Sequence, residues 1–305
     1  MTAPCLRAAG LRRTYPDSAG RRHTVLHDVD LRLEPSESVA LLGRSGCGKT
    51  TLLKALLLLD DPGPTDSGTV LLDGDPVVTG RRRPGARALR PYRRAVQYVP
   101  QDPAGSLDPR HDVISQITRA LRTLQAPGGP DEHEAVAESL LEALDLPRQS
   151  WRHRPHEISG GQSQRLALAR ALAPGPRYLL LDEPVSGLDP ALRHQVLDLL
   201  AGLADDDDWC APAPAPAVSG AVPAPNAPAV RPPVSGAVPA PNAPAARPAM
   251  LLVSHDLAAV ARVCTRSIVM DAGVLVEDVP TARLLDAPEH PAAKALRDAV
   301  PALPD

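Results

Sequence analysis

Residues Ser38-Val-Ala-Leu-Leu42 form an unbroken apolar run that ends on a glycine, and a second apolar stretch, Thr51 to Leu59, follows shortly after. A run this short, closed by a glycine-rich turn, predicts a strand buried on both faces, while the second stretch predicts a helix. Between them Gly43, Arg44, Ser45, Gly46, Cys47, Gly48, Lys49 and Thr50 have the spacing G-x-x-x-x-G-K-[ST]. Such glycines let backbone N–H groups curl around phosphate oxygens, and the N-terminus of the following helix adds partial positive charge. Lys49 is suited to the β- and γ-phosphates of a nucleotide, Thr50 to Mg2+, and Thr51 completes the nucleotide-binding set. On this motif alone, a plain glycine-rich turn ending a strand remains the alternative.

The surroundings extend an α/β pattern. Val25, Val29, Leu31 and Leu33 alternate with polar residues as in a half-buried antiparallel strand, and Val70-Leu-Leu72 runs into an Asp73-Gly74 turn. Helical spacing dominates from about 112 to 174: Val113, Ile114, Ile117 and Leu121 share one face, and Ala137, Leu140, Leu141 and Leu144 another. Strand and helix then alternate through Tyr178 to Leu181, Leu192 to Leu203, Met250 to Val253 and Ser267 to Met270, so the α/β core is interrupted by a helical insertion. No apolar stretch approaches the roughly 20 residues of a membrane-crossing helix, and Met1 to Arg13 lacks the apolar region of a secretory signal, which together predict a cytoplasmic protein. A net charge of −3 offers no basic footprint for nucleic acid. Cys5, Cys47, Cys210 and Cys264 are scattered, without metal or disulfide spacing.

Two further constellations carry chemistry. The run Tyr178 to Leu181 delivers Asp182 and Glu183 at the end of a strand, where α/β sheets place ligands. Asp182 suits a Mg2+ shell and Glu183 the polarisation of an attacking water, although an Asp-Glu pair can also be an ordinary solvent-facing strand end. Ser159, Gly160, Gly161 and Gln162 open a long helical run, as a second anion site or as no more than a helix N-cap.

Ile158-Ser-Gly-Gly-Gln162 resembles the signature of the ABC ATPases, with Ile158 where leucine is commoner. Tyr15 then resembles the adenine-stacking aromatic, Gln101 the Q-loop, Ser186-Gly-Leu-Asp189 the D-loop and His255 the switch histidine; taken singly they read as a packing aromatic, a loop residue, a turn and a surface histidine. The resemblance implies a P-loop cassette with a RecA-like α/β core, an antiparallel β subdomain and an inserted helical subdomain at about 100–174, all within residues 1–280. It also implies ATP and Mg2+, held by Thr50, Gln101 and Asp182, and catalysis by Glu183, His255 and Gln101. Ser159 to Gln162 and Asp189 would complete the ATP site of a second ATPase subunit in a homo- or heterodimer. The implied partners are two transmembrane permeases and an extracytoplasmic substrate-binding protein, at the cytoplasmic face of the membrane and without nucleic acid.

Tyr98 to Arg110 and the tail 281–305, with its His290-Pro291, resemble the oligopeptide, dipeptide and nickel importer branch, and Val39 to Lys49 is most similar to the nickel-import ATPases. An exporter or a non-transport ABC ATPase is the alternative. A P-loop kinase or GTPase would give no reason for Ser159 to Gln162 or His255. Two features depart from the pattern. Glu34-Pro-Ser-Glu37 lacks the usual turn glycine, and a Pro/Ala-rich insertion at 205–248, with a repeat at Val218 and Val234, reads as a disordered or polyproline-like loop or as a ligand for a Pro-binding module. Cys47, inside the glycine loop, is expected to be shielded from alkylation by MgATP.

Overall fold

The computed structural model describes residues 4–16, 21–60, 63, 65–78, 84–205 and 247–299. The first half carries β1 (Leu6–Pro16), β2 (Arg22–Leu33), β3 (Ser38–Leu42), α1 (Lys49–Leu56), β4 (Ser67–Leu72), β5 (Asp75–Pro76), α2 (Arg90–Ala95), β6 (Val96–Val99), α3 (Val113–Thr123) and α4 (Pro130–Ala143). The second half carries α5 (Gly160–Leu172), β7 (Tyr178–Asp182), α6 (Pro190–Asp205), β8 (Ala249–Val253), α7 (Leu257–Val263), β9 (Arg266–Asp271), β10 (Val274–Pro280), α8 (Thr281–Asp286) and α9 (Pro291–Asp298).

Two sheets result. One is antiparallel, in the order β2-β1-β4-β5; the other runs β10-β9-β3-β8-β7-β6, parallel except for β10. Every residue of β3, β7 and β8 is buried, because helices or the other sheet cover both faces. Strand alternation divides their side chains. Ala40, Leu42, Leu179, Leu181 and Leu252 join a core with α3 to α7, while Val39, Leu41, Leu180 and Leu251 join one shared with α1 and the antiparallel sheet. Arg177 braces the sheets by a two-pronged bond to Asp73 in the β4–β5 turn, at 2.6 Å on both arms, and this bond holds the Asp73 pKa down.

The predicted faces of α3 and α4 are buried, and both helices pack on α5, which also lies against β6. Three local expectations change. Val25 is only half-buried and Leu26 takes the core position: Val29 pairs with Leu11 but Leu26 with Arg13, and Asp28 sits at φ 50° in a bulge that shifts the alternation. The helix predicted to Leu59 ends at Leu56, whose carbonyl accepts from the Tyr92 hydroxyl, and Leu58 turns to φ 52°. At the turn lacking glycine, Ser36 itself adopts φ 60°.

Residues 206–246, most of the expected insertion, and residues 300–305 of the tail lie outside the described residues. The ends of the insertion are joined: the Arg247 guanidinium donates to the Ala204 carbonyl, and the Ser36 hydroxyl donates to the Arg247 carbonyl at 3.3 Å. In the tail, Leu284 and Ala293 enter the helix-lined core. The Glu277 carboxylate accepts the backbone N–H groups of Glu289 and His290 at 3.1 and 2.9 Å. No helix among the described residues is long and apolar enough to cross a membrane.

Candidate active site

The C-terminal ends of β3, β6, β7 and β8 open on one cavity of about 320 Å³, lined by the glycine loop, Thr50, Thr51, Gln101, Asp182, Glu183 and His255. Val25 and Val253 complete its wall. This is the crevice in which open parallel sheets bind ligands.

β3 delivers the chain to Gly43, at φ 154°, where a Cβ would stand 2.4 Å from the Met270 carbonyl oxygen. Arg44, Ser45 and Gly46 are exposed, while Cys47, Gly48 and Lys49 are buried. The loop is braced from the β9–β10 turn, because the Gly273 N–H donates to the Cys47 carbonyl and the Gly273 carbonyl accepts from His27 N–H, both at 2.9 Å. The Lys49 ammonium donates to the Gly43 and Arg44 carbonyls at 2.7 and 3.1 Å and pairs with no carboxylate among the described residues. Cys47 is 7% exposed. Burial by itself slows alkylation of this thiol, in addition to the shielding expected from MgATP.

β7 presents the acids. Asp182 is 5% exposed, and burial raises its pKa; its Oδ2 accepts from the Tyr98 hydroxyl at 3.2 Å. The phenol pKa is pushed up by its own burial and then by Asp182, so Tyr98 remains a donor. Glu183 adopts φ 46°, strained for a residue with a Cβ, and its N–H donates to the Val253 carbonyl at 2.9 Å. Its carboxylate is held on both sides: Oε2 accepts from Gln101 Nε2 at 3.3 Å, and Oε1 lies 3.1 Å from His255 Nδ1. A carboxylate so placed, beside an unpaired ammonium and a glycine loop, can orient water next to a bound phosphate. Asp182, the Thr50 hydroxyl and the Gln101 amide supply the hard oxygen donors that Mg2+ prefers. No cluster of three His, Cys, Asp or Glu that could hold a metal ion occurs among the described residues.

The cavity thus gathers Gly43, Ser45, Gly46, Gly48, Lys49, Thr50, Thr51, Gln101, Asp182, Glu183 and His255, while Arg44 and Cys47 of the loop do not line it. Tyr15, Ser159 to Gln162 and Asp189 lie outside it. Tyr15 instead lines a second cleft, with Arg22, Lys54, Asp60 and Asp66. Ser159 Oγ accepts from Gln162 N–H at 3.2 Å and Gln162 Oε1 from Ser159 N–H at 2.8 Å, a reciprocal cap on α5. Asp189 Oδ1 caps α6 by accepting from the N–H groups of Ala191 and Leu192, both at 3.0 Å. Gly273 has no role in the sequence motifs, and Tyr98 enters them only as the first residue of the Tyr98–Arg110 segment that resembles the importer branch. The one available signal for Gly273 was a glycine separating two apolar runs.

Residues 26–186 match the family model described as ABC transporter. The chain is 37% identical over 287 residues to the nickel import ATP-binding protein NikE of Brucella suis, across 94% of this chain and 90% of that protein. Identity to the NikE of Rhodospirillum rubrum is 38%, across 92% and 84%. The glutathione import ATP-binding protein GsiA of Escherichia coli is 33% identical over 98% of this chain, which spans 41% of that longer protein. Among solved structures, the dimeric form of MJ0796, a bacterial ABC transporter cassette, is similar in fold, with a TM-score of 0.67 at 22% identity over 90% of this chain and 98% of that one.

Proposed function

The chain belongs to the ABC transporter family as an ATP-binding, ATP-hydrolysing importer subunit, and from that premise we propose which residues do the work and what they move. The observation that carries the assignment is the convergence of Gln101 and His255 on the Glu183 carboxylate, beside the glycine loop. Lys49 exchanges its two backbone carbonyls for phosphate oxygens, which offer the ammonium a full counter-charge in place of neutral acceptors. Glu183 orients the attacking water, His255 contacts the γ-phosphate, and Gln101 reports on occupancy of the site. Thr50, Asp182 and Gln101 would hold Mg2+, which would supply positive charge beside the phosphates. Tyr15 packs on the adenine from the neighbouring cleft.

Ser159, Gly160, Gly161, Gln162 and Asp189 contact the ATP of a second, facing ATPase subunit; their position outside the chain's own cavity supports this division. The pair drives two transmembrane permeases at the cytoplasmic face of the membrane, fed by an extracytoplasmic substrate-binding protein. The cargo is nickel or a di- or oligopeptide, supported by relatives named for nickel, glutathione and peptide import. Comparing which binding protein, nickel- or peptide-loaded, stimulates ATP hydrolysis by the assembled complex decides between them. Glu183→Gln tests the site. It keeps ATP binding and dimerisation but lowers turnover by about 100-fold or more, the range expected for a lost general base. Near-normal hydrolysis would remove Glu183 from its role.

A further inference from the structure

Tyr98 lies on β6, three residues before Gln101, and β6 is the parallel neighbour of β7, which carries Asp182. The register pairs Tyr98 with Leu180 and Val99 with Leu181, so the phenol spans the last stretch of the sheet to reach the acid. Its hydroxyl donates to Asp182 Oδ2 at 3.2 Å, while Oδ1 takes no hydrogen bond among the described residues and Asp182 lines the cavity. A carboxylate 5% exposed needs its hydrogen bonds to stay charged and correctly turned.

We propose that Tyr98 is a positioning residue for the metal-binding carboxylate: it engages one oxygen of Asp182 and so presents the other to the Mg2+ of the bound nucleotide. The inference rests on the reading that Asp182 holds the metal. Groups that hydrogen-bond a metal ligand from behind set its orientation, and losing one typically weakens metal affinity by roughly 10- to 100-fold. Tyr98 also ties the strand that ends at Gln101 to the strand that ends at Asp182. Both candidate oxygen donors from the sheet are therefore set by one pair of adjacent strands.

The test is calorimetric binding of a non-hydrolysable ATP analogue to the full chain, first with EDTA and then over a series of free Mg2+ concentrations. Tyr98→Phe keeps the ring and removes only the hydroxyl, and its melting curve checks that the fold persists. The metal-free affinity should match the parent protein, while the Mg2+ concentration giving half-maximal tightening rises roughly tenfold or more. Asp182→Asn run in parallel separates the two levels. If Asp182→Asn shifts the Mg2+ midpoint and Tyr98→Phe does not, the positioning role is wrong. If neither shifts it, Asp182 is not a metal ligand and the reading beneath the inference fails too. An equal loss of metal-free and metal-bound affinity in Tyr98→Phe would mark a packing role and equally overturn the proposal.

Discussion

Gly273 belongs to no nucleotide motif, yet it supports the phosphate loop through the Cys47 carbonyl. At φ 79°, with a Cβ position only 2.1 Å from the Val25 carbonyl oxygen, it has no room for a side chain. Gly273→Ala must displace backbone rather than the end of a flexible side chain. It should lose about 1–3 kcal/mol of stability in denaturant unfolding and bind ATP more weakly in a nucleotide titration. Unchanged ATP affinity despite the destabilisation would show that the brace does not set the loop. Lys49, Asp182 and Glu183 were legible because their chemistry is written in contiguous residues. Gly273, Tyr98 and Val25 act across strands distant in sequence, and a one-dimensional pattern holds no trace of such contacts. The cysteines show the same limit. Cys5, Cys47 and Cys264 are all buried, and burial pushes the Cys264 thiol up to about 12. Mass spectrometry after alkylation of native protein at pH 8 should find these three unmodified, with labelling appearing on denaturation; fast native labelling of Cys47 would mean the loop opens in solution.

At the scale of elements, α5 raises the question left open by its sequence: whether Ser159 is only a cap. The cap exists, and its loss in Ser159→Ala should cost about 1 kcal/mol in unfolding experiments. Ser159→Asp separates the two roles, because aspartate caps as well as serine but sets a negative charge where the partner's ATP phosphates would lie. Stability close to the parent with ATP hydrolysis lost is expected, measured by melting and by phosphate release. Retained hydrolysis in Ser159→Asp would reduce the residue to its capping role. Helix faces such as Val113, Ile114, Ile117 and Leu121 were readable because a helix preserves its period over several turns. The phase of β2 was not, since the extra residue at Asp28 changes which positions face inward and the register shifts again between Leu26 and Thr24. The end of α1 was hidden for a different reason: its apolar run continues through the turn at left-handed Leu58, where the Leu58 and Leu59 N–H groups bond back to the Ala55 and Lys54 carbonyls and Tyr92 takes the Leu56 carbonyl.

For the whole molecule, the layers follow from buried strands whose residues alternate between two cores, and that much could be read from strand and helix order. How residues 205–248 are accommodated could not, because composition says nothing about where the ends of a segment meet. Ala204 and Arg247 are hydrogen-bonded to each other, and Ser36 bonds the Arg247 carbonyl, so the chain leaves and re-enters the fold at one place. With Ala204 and Arg247 already joined, a shorter connection spans the same two ends, and the entropy lost on closure falls with length. Cutting the segment by about three doublings of length favours the folded state by roughly 2 kcal/mol if the closing contacts survive. Deletion of residues 211–246, with Arg247 retained, should leave ATP hydrolysis within about twofold of the parent and the melting temperature unchanged or higher. Extending the deletion through Arg247 removes the closing residue, and that version should melt lower than the first. Lost turnover in the Arg247-retaining deletion, with its melting temperature intact, would give the insertion a part in the transport cycle.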